Sequence, residues 1–266
     1  MKVSVIITAY NTPAEKLNRA IKSVLAQSYK DYEIILVNDG GDSFDTSFEL
    51  GDSKVNKIRY FEHDKNYGGA KALNTGVREA KGDYIAILDS DDYFTDPDKL
   101  KKQAEFLDNN YPFVGAVGTG ATVIMKKGDE EKIVKVRPRL DPFSIQAHIL
   151  DTSPICHSGC MYRKSAWKSV GGYDETLKRG KDWDFFLKVS RRCQLANIPD
   201  DTITFEDVWI PAKRYEDAKA SLKILWKYRD YGISVYPLEI IVTSPRFWRP
   251  FVEAIVRYVY YFLKTI

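Results

Sequence analysis

Four short apolar segments, each followed by a polar or glycine-containing turn, divide the N-terminal third of this 266-residue chain. Their β-branched, nearly continuous apolar character is typical of strands that are buried on both faces. Apolar residues at helical spacing follow the first and the third segment. Strands and helices in this alternation predict right-handed crossovers and a mainly parallel α/β sheet flanked by helices. The predicted strands are 3–7, 33–37, 57–61 and 84–88, and the helical stripes are Leu17, Ala20, Ile21, Val24 and Leu25, then Ala72, Leu73, Val77 and Ala80.

Local signals also predict how the first helix begins and how the second half of the chain folds. Thr12-Pro13-Ala14-Glu15 has the form of a capping box with proline at the first helical position. Further on, predicted strands at 113–119 and 121–125 precede a hairpin turn and a third strand at 132–136, and a helical stretch follows near 142–150. These elements predict a smaller antiparallel sheet beside the parallel one.

Composition limits the class of protein. Apolar residues make up 44% of the chain, which is enough for a core, and the length fits one large α/β domain or two small ones. The 40 Lys and Arg residues exceed the 37 Asp and Glu residues by only three, so overall charge does not predict nucleic-acid binding. Three cysteines do not make a disulfide framework, and the first apolar run is too short for a signal-peptide core. We therefore expect a cytoplasmic protein.

Polar side chains follow three of the four predicted strands. The first strand ends in Thr8-Ala9-Tyr10-Asn11, another ends in Asn38-Asp39-Gly40, and the last ends in Asp89-Ser90-Asp91-Asp92. Parallel sheets bind ligands beyond the carboxyl ends of their strands, so these groups predict one shared site. A nucleotide would suit it, because Tyr10 can pack on a base, Asp39 can accept from a base N–H, and the carboxylates can hold a metal ion on a diphosphate. The alternatives are a core-edge tyrosine, a plain turn at Asp39, and an acidic turn that caps the next helix.

A glycine-containing loop lies before the second predicted helix. Gly68 and Gly69 would permit a close backbone approach to a ligand, and Lys71 would help to neutralise phosphate. The alternative is an ordinary loop before a helix.

Four segments in this order resemble the family 2 glycosyltransferases with a GT-A fold, a Rossmann-like architecture. They are 3–11, 34–40, 66–76 and 82–92. The resemblance is dense over residues 1–110 and continues more loosely to about residue 210, through Val-Gly-Gly-Tyr-Asp at 170–174 and Lys-Asp-Trp-Asp at 181–184. It implies an inverting transferase that takes a sugar from a nucleotide diphosphate donor, usually a UDP-sugar, with Mn²⁺ or Mg²⁺.

The resemblance also implies roles for individual residues. By position, Thr8, Tyr10 and Asp39 resemble the nucleobase contacts of the family, Asp89 resembles a contact on the nucleoside side, and Asp91 resembles the metal ligand. We count Ala9, Asn11, Gly68, Lys71 and Ser90 with the predicted donor-binding residues because they belong to the same turns.

Asp182 is the predicted catalytic base. Its segment resembles the Glu-Asp-Trp helix start of the family, in which the aspartate accepts the proton of the acceptor hydroxyl. The segment departs from that pattern at one position, since Lys181 stands where glutamate is common, and a neighbouring ammonium would lower the pKa of the base. Asp184 is the competing carboxylate, but positions two apart on a helix face nearly opposite sides. The structural alternative for Asp182 is an acid placed near a helix N-terminus.

Two other features leave their roles open. Cys156, His157 and Cys160 suggest zinc, but the paired Cys-x-x-Cys spacing is absent, and structural or acceptor-lining roles are favoured. Trp183 fits either core packing or a sugar-stacking platform.

The predicted organisation is a transferase domain over 1–210, with a nucleotide-sugar half (1–95) and an acceptor half (96–210), and a C-terminal helical extension over 211–266. Residues 246–264 are aromatic and basic, which fits peripheral contact with the cytoplasmic membrane face and a lipid-linked or other glycan acceptor, or else packing on the domain or in a homo-oligomer. Polysaccharide synthesis is the expected context, and nucleic-acid binding is not expected. The alternative functions are a sugar nucleotidyltransferase and a catalytically inactive nucleotide-sugar-binding module.

Overall fold

The computed structural model describes residues 2–42, 57–208, 210–228 and 252–260. The strands in chain order are β1 (Val3–Ala9), β2 (Tyr32–Asn38), β3 (Ile58–Glu62), β4 (Tyr84–Asp89), β5 (Tyr93–Phe94), β6 (Val114–Lys127), β7 (Glu130–Val136), β8 (Met161–Arg163) and β9 (Gln194–Val208). The helices are α1 (Ala14–Leu25), α2 (Gly69–Glu79), α3 (Lys99–Asn109), α4 (Pro142–Ala147), α5 (Lys164–Ser169), α6 (Lys181–Ser190), α7 (Pro211–Lys227) and α8 (252–260), and a 3-10 turn spans His157–Gly159.

The strands of the described residues form a single nine-stranded sheet. Its order is β3-β2-β1-β4-β8-β6-β9-β5, with β7 paired to β6 outside this path. The first four strands are parallel, as predicted. The antiparallel strands do not stand apart as a second sheet, because β8 pairs with β4 on one side and with β6 on the other. The two predicted halves of the domain therefore share one continuous hydrogen-bonded sheet.

Helices cover both faces of the sheet because the strands bury side chains on both. Along β1, Ile6 faces one apolar cluster while Val5 and Ile7 face the other. Helices α1 and α3 pack into the cluster around Val5, whereas α2, α6, α7 and α8 pack into the cluster around Ile6. Helices α2 and α6 consequently lie on the same face of the sheet.

Two predictions about local structure were wrong. Helix α1 begins at Ala14 with no side-chain cap, because Pro13 has an extended conformation (φ −54°, ψ 135°), and the Thr12 hydroxyl is instead 2.7 Å from the Ser90 hydroxyl. The strands predicted at 113–119 and 121–125 are one strand, β6, which continues through Gly120 with irregular register against β9.

The C-terminal helices pack against the domain through one face. Ile224 and Leu225 of α7 and Ala254 of α8 belong to the cluster around Ile6, and Tyr258 of α8 lies against Tyr215 with ring centroids 5.1 Å apart. In the segments that the structure describes, none of the helices combines the length and the apolar character of a membrane span. The predicted contact region at 246–264 lies outside the described residues except for α8, whose other face leaves Val252, Ile255, Val256 and Val259 exposed.

Candidate active site

The carboxyl ends of β1, β2 and β4 meet at one edge of the sheet. Ala9 is opposite Asn38, and Thr8 is opposite Asp89 on the other side. The turns that follow these strands are therefore neighbours, and we call this group (8–11, 38–42, 66–69 and 89–92) the donor edge. Tyr10 lies at its mouth with half of its surface (50%) exposed, so its ring is available to a flat ligand.

Asn11 holds two of these turns together. It has a left-handed backbone (φ 50°), which asparagine tolerates better than most residues. Its side-chain Oδ1 accepts a hydrogen bond from the backbone N–H of Asp42 at 3.0 Å. The Asn38 side chain in turn accepts from the N–H of Gly41 at 3.0 Å. Both amide side chains thus shape the donor edge.

Asp39 organises the glycine-containing loop at 66–69. Its carboxylate is buried (3% exposed) and accepts from the backbone N–H groups of Tyr67 at 3.1 Å and Gly68 at 2.8 Å. His63 lies 2.7 Å away through Nδ1, and its Nε2 lies 3.0 Å from the Thr75 hydroxyl. With a hydrogen on Nδ1, His63 donates to Asp39, and the Thr75 hydroxyl is the partner of Nε2. Three hydrogen bonds leave one lone-pair direction of the carboxylate for a ligand.

The three carboxylates of the 89–92 turn occupy different environments. Asp91 is exposed, Asp89 is partly exposed, and Asp92 is buried. Burial and the nearby charge of Asp89 raise the pKa of Asp92 to about 8, although a hydrogen bond from Ser158 opposes the shift. The Ser158 oxygen also accepts from the N–H of Asp89 at 2.9 Å. The side chains of Asp89 and Asp91 are therefore the ones that remain accessible, while Asp92 supports the turn.

The glycine-containing loop has open space in front of it, since Gly68 has a positive φ of 95° and a Cβ at this position would meet no atom within 4 Å.

Two lysine side chains near this loop have different surroundings. Lys71, predicted to contact phosphate, lies 3.3 Å from the Glu175 carboxylate. Lys181 crosses the start of α2, with its ammonium 3.6 Å from the position that a Cβ on Gly69 would take. The ammonium of Lys181 is thus directed at the loop.

Asp182 and Asp184 face opposite ways, as predicted. Asp184 is fully buried (0% exposed), and its Oδ1 accepts from Lys227 at 2.6 Å and from the Tyr228 hydroxyl at 2.8 Å. Its Oδ2 lies 3.3 Å from Lys188. Asp182 is partly exposed and, within the described residues, has no hydrogen bond or ion pair. Asp184 is therefore a structural carboxylate, and Asp182 is the accessible one.

His157 lies between the donor edge and the start of α6. It is buried, its Nε2 is 3.0 Å from the Tyr173 hydroxyl, and its Nδ1 is 4.0 Å from the Asp89 carboxylate. Burial lowers its pKa, and the neighbouring Asp89 opposes that shift. The neutral form of the imidazole is thus favoured, and His157 lines one cavity together with Asp182.

Two cavities meet at Asp182. The first, of about 420 Å³, lies beside His157 and also borders Arg137 and Arg139. The second, of about 210 Å³, lies between the start of α6 and helices α7 and α8, with Arg179 in its wall. A carboxylate that borders two cavities can reach a hydroxyl group bound in either of them.

A family model for glycosyl transferase family 2 matches residues 4–171, which include every turn of the donor edge. The chain belongs to glycosyl transferase family 2.

Curated relatives of this family 2 chain are themselves described as glycosyltransferases. An uncharacterized glycosyltransferase of Rickettsia typhi is 35% identical over 194 residues, which are 71% of this chain and 58% of that protein. The uncharacterized glycosyltransferase YwdF of Bacillus subtilis is 29% identical over 207 residues, 77% of this chain and 74% of YwdF. A Rickettsia conorii relative, 32% identical, is covered over only 31% of its length. The chain thus spans about a third to three fifths of the Rickettsia proteins.

Solved structures establish that this family 2 chain has a GT-A fold, as predicted. Residues 1–349 of S. aureus TarS in complex with UDP superpose with a TM-score of 0.61 at 20% identity, over 85% of this chain and 65% of that fragment. The mannosyltransferase PcManGT of Pyrobaculum calidifontis, in complex with GDP-Man and Mn²⁺, gives a TM-score of 0.61 at 18% identity, over 85% of this chain and 63% of that one. At such identities the likeness concerns the fold.

The donor edge of this glycosyltransferase fits a hard divalent cation such as Mn²⁺ or Mg²⁺. Asp89 and Asp91 offer accessible carboxylate oxygens, the ligand type that these ions prefer. Three carboxylates within four residues of this turn repel one another, and a cation would reduce that repulsion. Within the described segments no three His, Cys, Asp or Glu side chains form a metal-binding group, so the fit is to an open site that substrate and water would complete.

The cysteines beside His157 are held as thiols. Burial raises the pKa of Cys156 to about 12, and that of Cys160 still higher. Among the described residues no group of three His, Cys, Asp or Glu side chains is arranged to hold a metal ion, which favours the structural role over zinc.

Three features of the site were not predicted from the sequence. They are the bridging Ser158, the hydrogen bond between Thr12 and Ser90, and the direction of Lys181. Trp183, left open by the sequence, is a core residue, because it is buried and its Nε1 donates to the Ile149 carbonyl at 2.8 Å. Contacts between distant segments decide all four, and a single-sequence pattern carries no signal for them.

Proposed function

We propose that this chain is an inverting glycosyltransferase that moves a sugar from a nucleotide diphosphate sugar, a UDP-sugar, to a hydroxyl group of a glycan or lipid-linked acceptor. The observation that carries the proposal is the position of Asp182. It is an accessible carboxylate that borders both cavities, on the same side of the sheet as α2 and close to the donor edge. The family's donor motif therefore occurs together with an accessible carboxylate at the position that resembles the family's base, and Asp151, which lines the same cavities, lies outside the motif at 181–184.

The proposed chemistry needs one carboxylate on the acceptor side. Asp182 accepts the proton of the acceptor hydroxyl while that oxygen attacks the anomeric carbon from the face opposite the leaving nucleotide diphosphate. The new bond to oxygen forms as the bond to the diphosphate breaks, which inverts the anomeric configuration. A divalent cation on Asp91, with Asp89 beside it, would supply Lewis-acid stabilisation of the leaving diphosphate.

The donor side of the proposal assigns the nucleoside to the exposed mouth of the donor edge. Tyr10 offers a half-exposed ring, Thr8 lies at the strand end between the two turns, and Asp39 has one free lone-pair direction. Asp89 is proposed to face the nucleoside. UDP is proposed as the nucleotide because of the family resemblance, and TarS, whose structure contains UDP, supports it. PcManGT, whose structure contains GDP-Man, represents the alternative in which the nucleobase is guanine.

The acceptor is proposed to be part of polysaccharide or lipid-linked oligosaccharide synthesis at the cytoplasmic membrane face. The exposed apolar face of α8 supports membrane contact, and the second cavity, which α8 borders, would connect that contact to Asp182. Homo-oligomerisation stays the competing prediction for the same face.

A donor panel tests this proposal most directly. Wild-type protein is incubated with UDP-sugars and GDP-sugars, with and without Mn²⁺, and the release of nucleoside diphosphate is measured. We expect slow donor hydrolysis with UDP-sugars that depends on Mn²⁺, and loss of that activity in Asp91→Asn. Tight nucleotide binding without release of product would indicate an inactive binding module. Pyrophosphate release from a nucleoside triphosphate and a sugar phosphate would indicate a nucleotidyltransferase.

A further inference from the structure

Lys181 is placed where the two sides of the site meet. Its side chain runs from the first residue of α6 across to the first residue of α2, with its ε-carbon 3.3 Å and its ammonium 3.6 Å from the position that a Cβ on Gly69 would take. A Cβ at position 69 would displace the lysine side chain by only a few tenths of an ångström. The two helix starts are thus in contact through Lys181 and Gly69.

The charge of Lys181 is available to a ligand. Within the described part of the chain its ammonium has no hydrogen bond or ion pair. Lys71, two residues after this loop, is already paired with Glu175, and Lys65, one residue before it, lies 5.2 Å from the centre of the Tyr67 ring. The ammonium of Lys181 is therefore able to pair with an anionic ligand.

The surroundings of Lys181 define what that anion would be. On one side the Asp39 carboxylate holds the N–H groups of Tyr67 and Gly68, which leaves open space in front of Gly68. On the other side stands His157, whose pKa burial lowers, with opposing influence from Asp89 and further lowering by Lys181. Lys181 therefore contacts the start of α2 at Gly69, and His157, which its charge influences, lies 4.0 Å from the Asp89 carboxylate.

We propose that Lys181 binds the diphosphate of the nucleotide-sugar donor, on the side opposite Asp89 and Asp91. This inference rests on the proposed function. Lys181 neutralises charge on the phosphate oxygens as the bond between the sugar and the diphosphate breaks, and its position holds the donor with the anomeric carbon towards Asp182. The lysine that replaces the usual glutamate thus serves the leaving group.

The competing role for Lys181 is local. An ammonium next to the base in sequence would lower the pKa of Asp182, which would change the pH dependence of the reaction and leave donor affinity unchanged. Binding measurements separate the two roles. Loss of a phosphate contact should weaken the binding of a nucleoside diphosphate and leave the binding of its nucleoside unchanged.

The test compares UDP with uridine by calorimetry in full-length protein, and GDP with guanosine in parallel. We expect Lys181→Gln to weaken UDP binding about tenfold and to change uridine binding by less than about twofold, as for loss of one charge-assisted hydrogen bond. Lys181→Arg should keep most of the UDP affinity, since it keeps the charge. Lys178→Gln removes the same charge three residues earlier, at an exposed position, and should change neither affinity.

The outcomes separate this inference from the function on which it rests. If the wild type does not bind a nucleoside diphosphate more tightly than the nucleoside, the proposed donor site itself is rejected. If the wild type shows that preference and Lys181→Gln retains it, only the role of Lys181 is rejected. A variant that keeps the preference and shifts the acid limb of the pH–rate profile would assign Lys181 to the base instead. If Lys178→Gln lost as much UDP affinity as Lys181→Gln, the effect would be due to the general positive charge of the surface, and the specific role of Lys181 would be rejected.

Discussion

At the donor edge the polar groups are fixed by hydrogen bonds to backbone, whereas on the acceptor side Asp182 stands at the border of two cavities with no such bond among the described residues. Asp39, Asn11 and Ser158 each bond to main-chain N–H groups of another segment. The cavities are walled by loops and by helices from the end of the chain. This difference is what we would expect if many enzymes share the same kind of donor while each has its own acceptor. Groups fixed by hydrogen bonds suit a ligand that does not vary, whereas loops can differ in shape from one protein to another.

Replacing the proposed base, Asp182, should have the largest effect and should leave the donor edge intact. We expect Asp182→Asn to lower kcat about a thousandfold, the range of general base catalysis, with UDP affinity unchanged. Asp151, which also borders both cavities, provides the matched control, and Asp151→Asn should retain most activity. Transfer kinetics and nucleotide binding measured on the same samples check this. A near-normal rate in Asp182→Asn would place the base elsewhere.

The neighbouring carboxylate should affect folding instead. Asp184→Ala would leave the Tyr228 hydroxyl and the ammonium groups of Lys188 and Lys227 without their common partner. We expect the free energy of unfolding to fall by about 3 kcal/mol, as when one member of a buried charged network is removed. Urea unfolding measures it, and Asp182→Ala should lower the same quantity by less than about 0.5 kcal/mol. Equal losses in the two variants would contradict the assignment of Asp184 as the structural carboxylate.

Asp39→Ala tests how far the donor edge depends on its hydrogen bonds. The N–H groups of Tyr67 and Gly68 would lose their acceptor, at a cost of about 2 kcal/mol in stability. Unlike Lys181→Gln, this change should weaken uridine and UDP equally. Amide hydrogen exchange should accelerate at these two residues. Unchanged exchange would show that the loop is held by other contacts.

A buried lysine beneath the junction of the two sides should make stability depend on pH. Burial lowers the pKa of Lys99 from 10.5 to about 7, and its ammonium nitrogen lies 2.6 Å from Gln103, whose amide donates to the Val117 and Gly159 carbonyls. Between these two pKa values the unfolded chain binds one proton more than the folded chain. Stability therefore rises with pH across this window, by up to about 1 kcal/mol per unit.

Lys99→Met isolates this contribution. The free energy of unfolding of the variant, relative to the wild type, should be greatest near pH 7 and should decline as pH rises towards 9. The reason is that only the wild type loses a proton from Lys99 when it folds in this pH range, so only the wild type becomes more stable as pH rises. Unfolding measured at several pH values gives the difference directly. A difference that does not change with pH would mean that Lys99 has an ordinary pKa.

The outer face of α8 should have the smallest effect on the fold. Replacing the exposed Ile255 and Val256 with Gln should change the free energy of unfolding by less than about 0.5 kcal/mol. If this face contacts the membrane, the fraction of protein bound to anionic vesicles should fall about threefold. Absence of vesicle binding by the wild type would dismiss membrane contact, and a change in oligomeric state would favour the dimer alternative.

The sequence predicted the donor edge because its signals are local. Buried parallel strands appear in the sequence as apolar runs. Asp39 directly follows the last residue of β2, and Asp89 is the last residue of β4. By contrast, β9 was missed because Pro199, Asp200 and Asp201 interrupt its apolar pattern. Its pairing with β6 joins segments far apart in the chain, which no local signal records.

The acceptor side was less predictable for a related reason. The motif at 181–184 identified Asp182, and helical geometry separated it from Asp184. The partners of Asp184 and the direction of Lys181 depend on α7 and α2, which come from other parts of the chain. Side-chain direction at such junctions follows from packing between elements, and the sequence pattern specifies only the elements themselves.

The contact of Lys227 and Tyr228 with Asp184 bears on the shortest protein that could fold by itself. A chain shortened at the predicted domain end, residue 210, would lose both groups that hydrogen-bond to the Oδ1 of Asp184, and with them the apolar residues by which α7 and α8 pack into the cluster around Ile6. Ending the chain after residue 228 would retain both hydrogen-bonding groups and the apolar residues of α7. The autonomous folding unit therefore extends beyond the segment that resembles the family, and the end of the recognisable motif is a poor guide to where the chain can be cut.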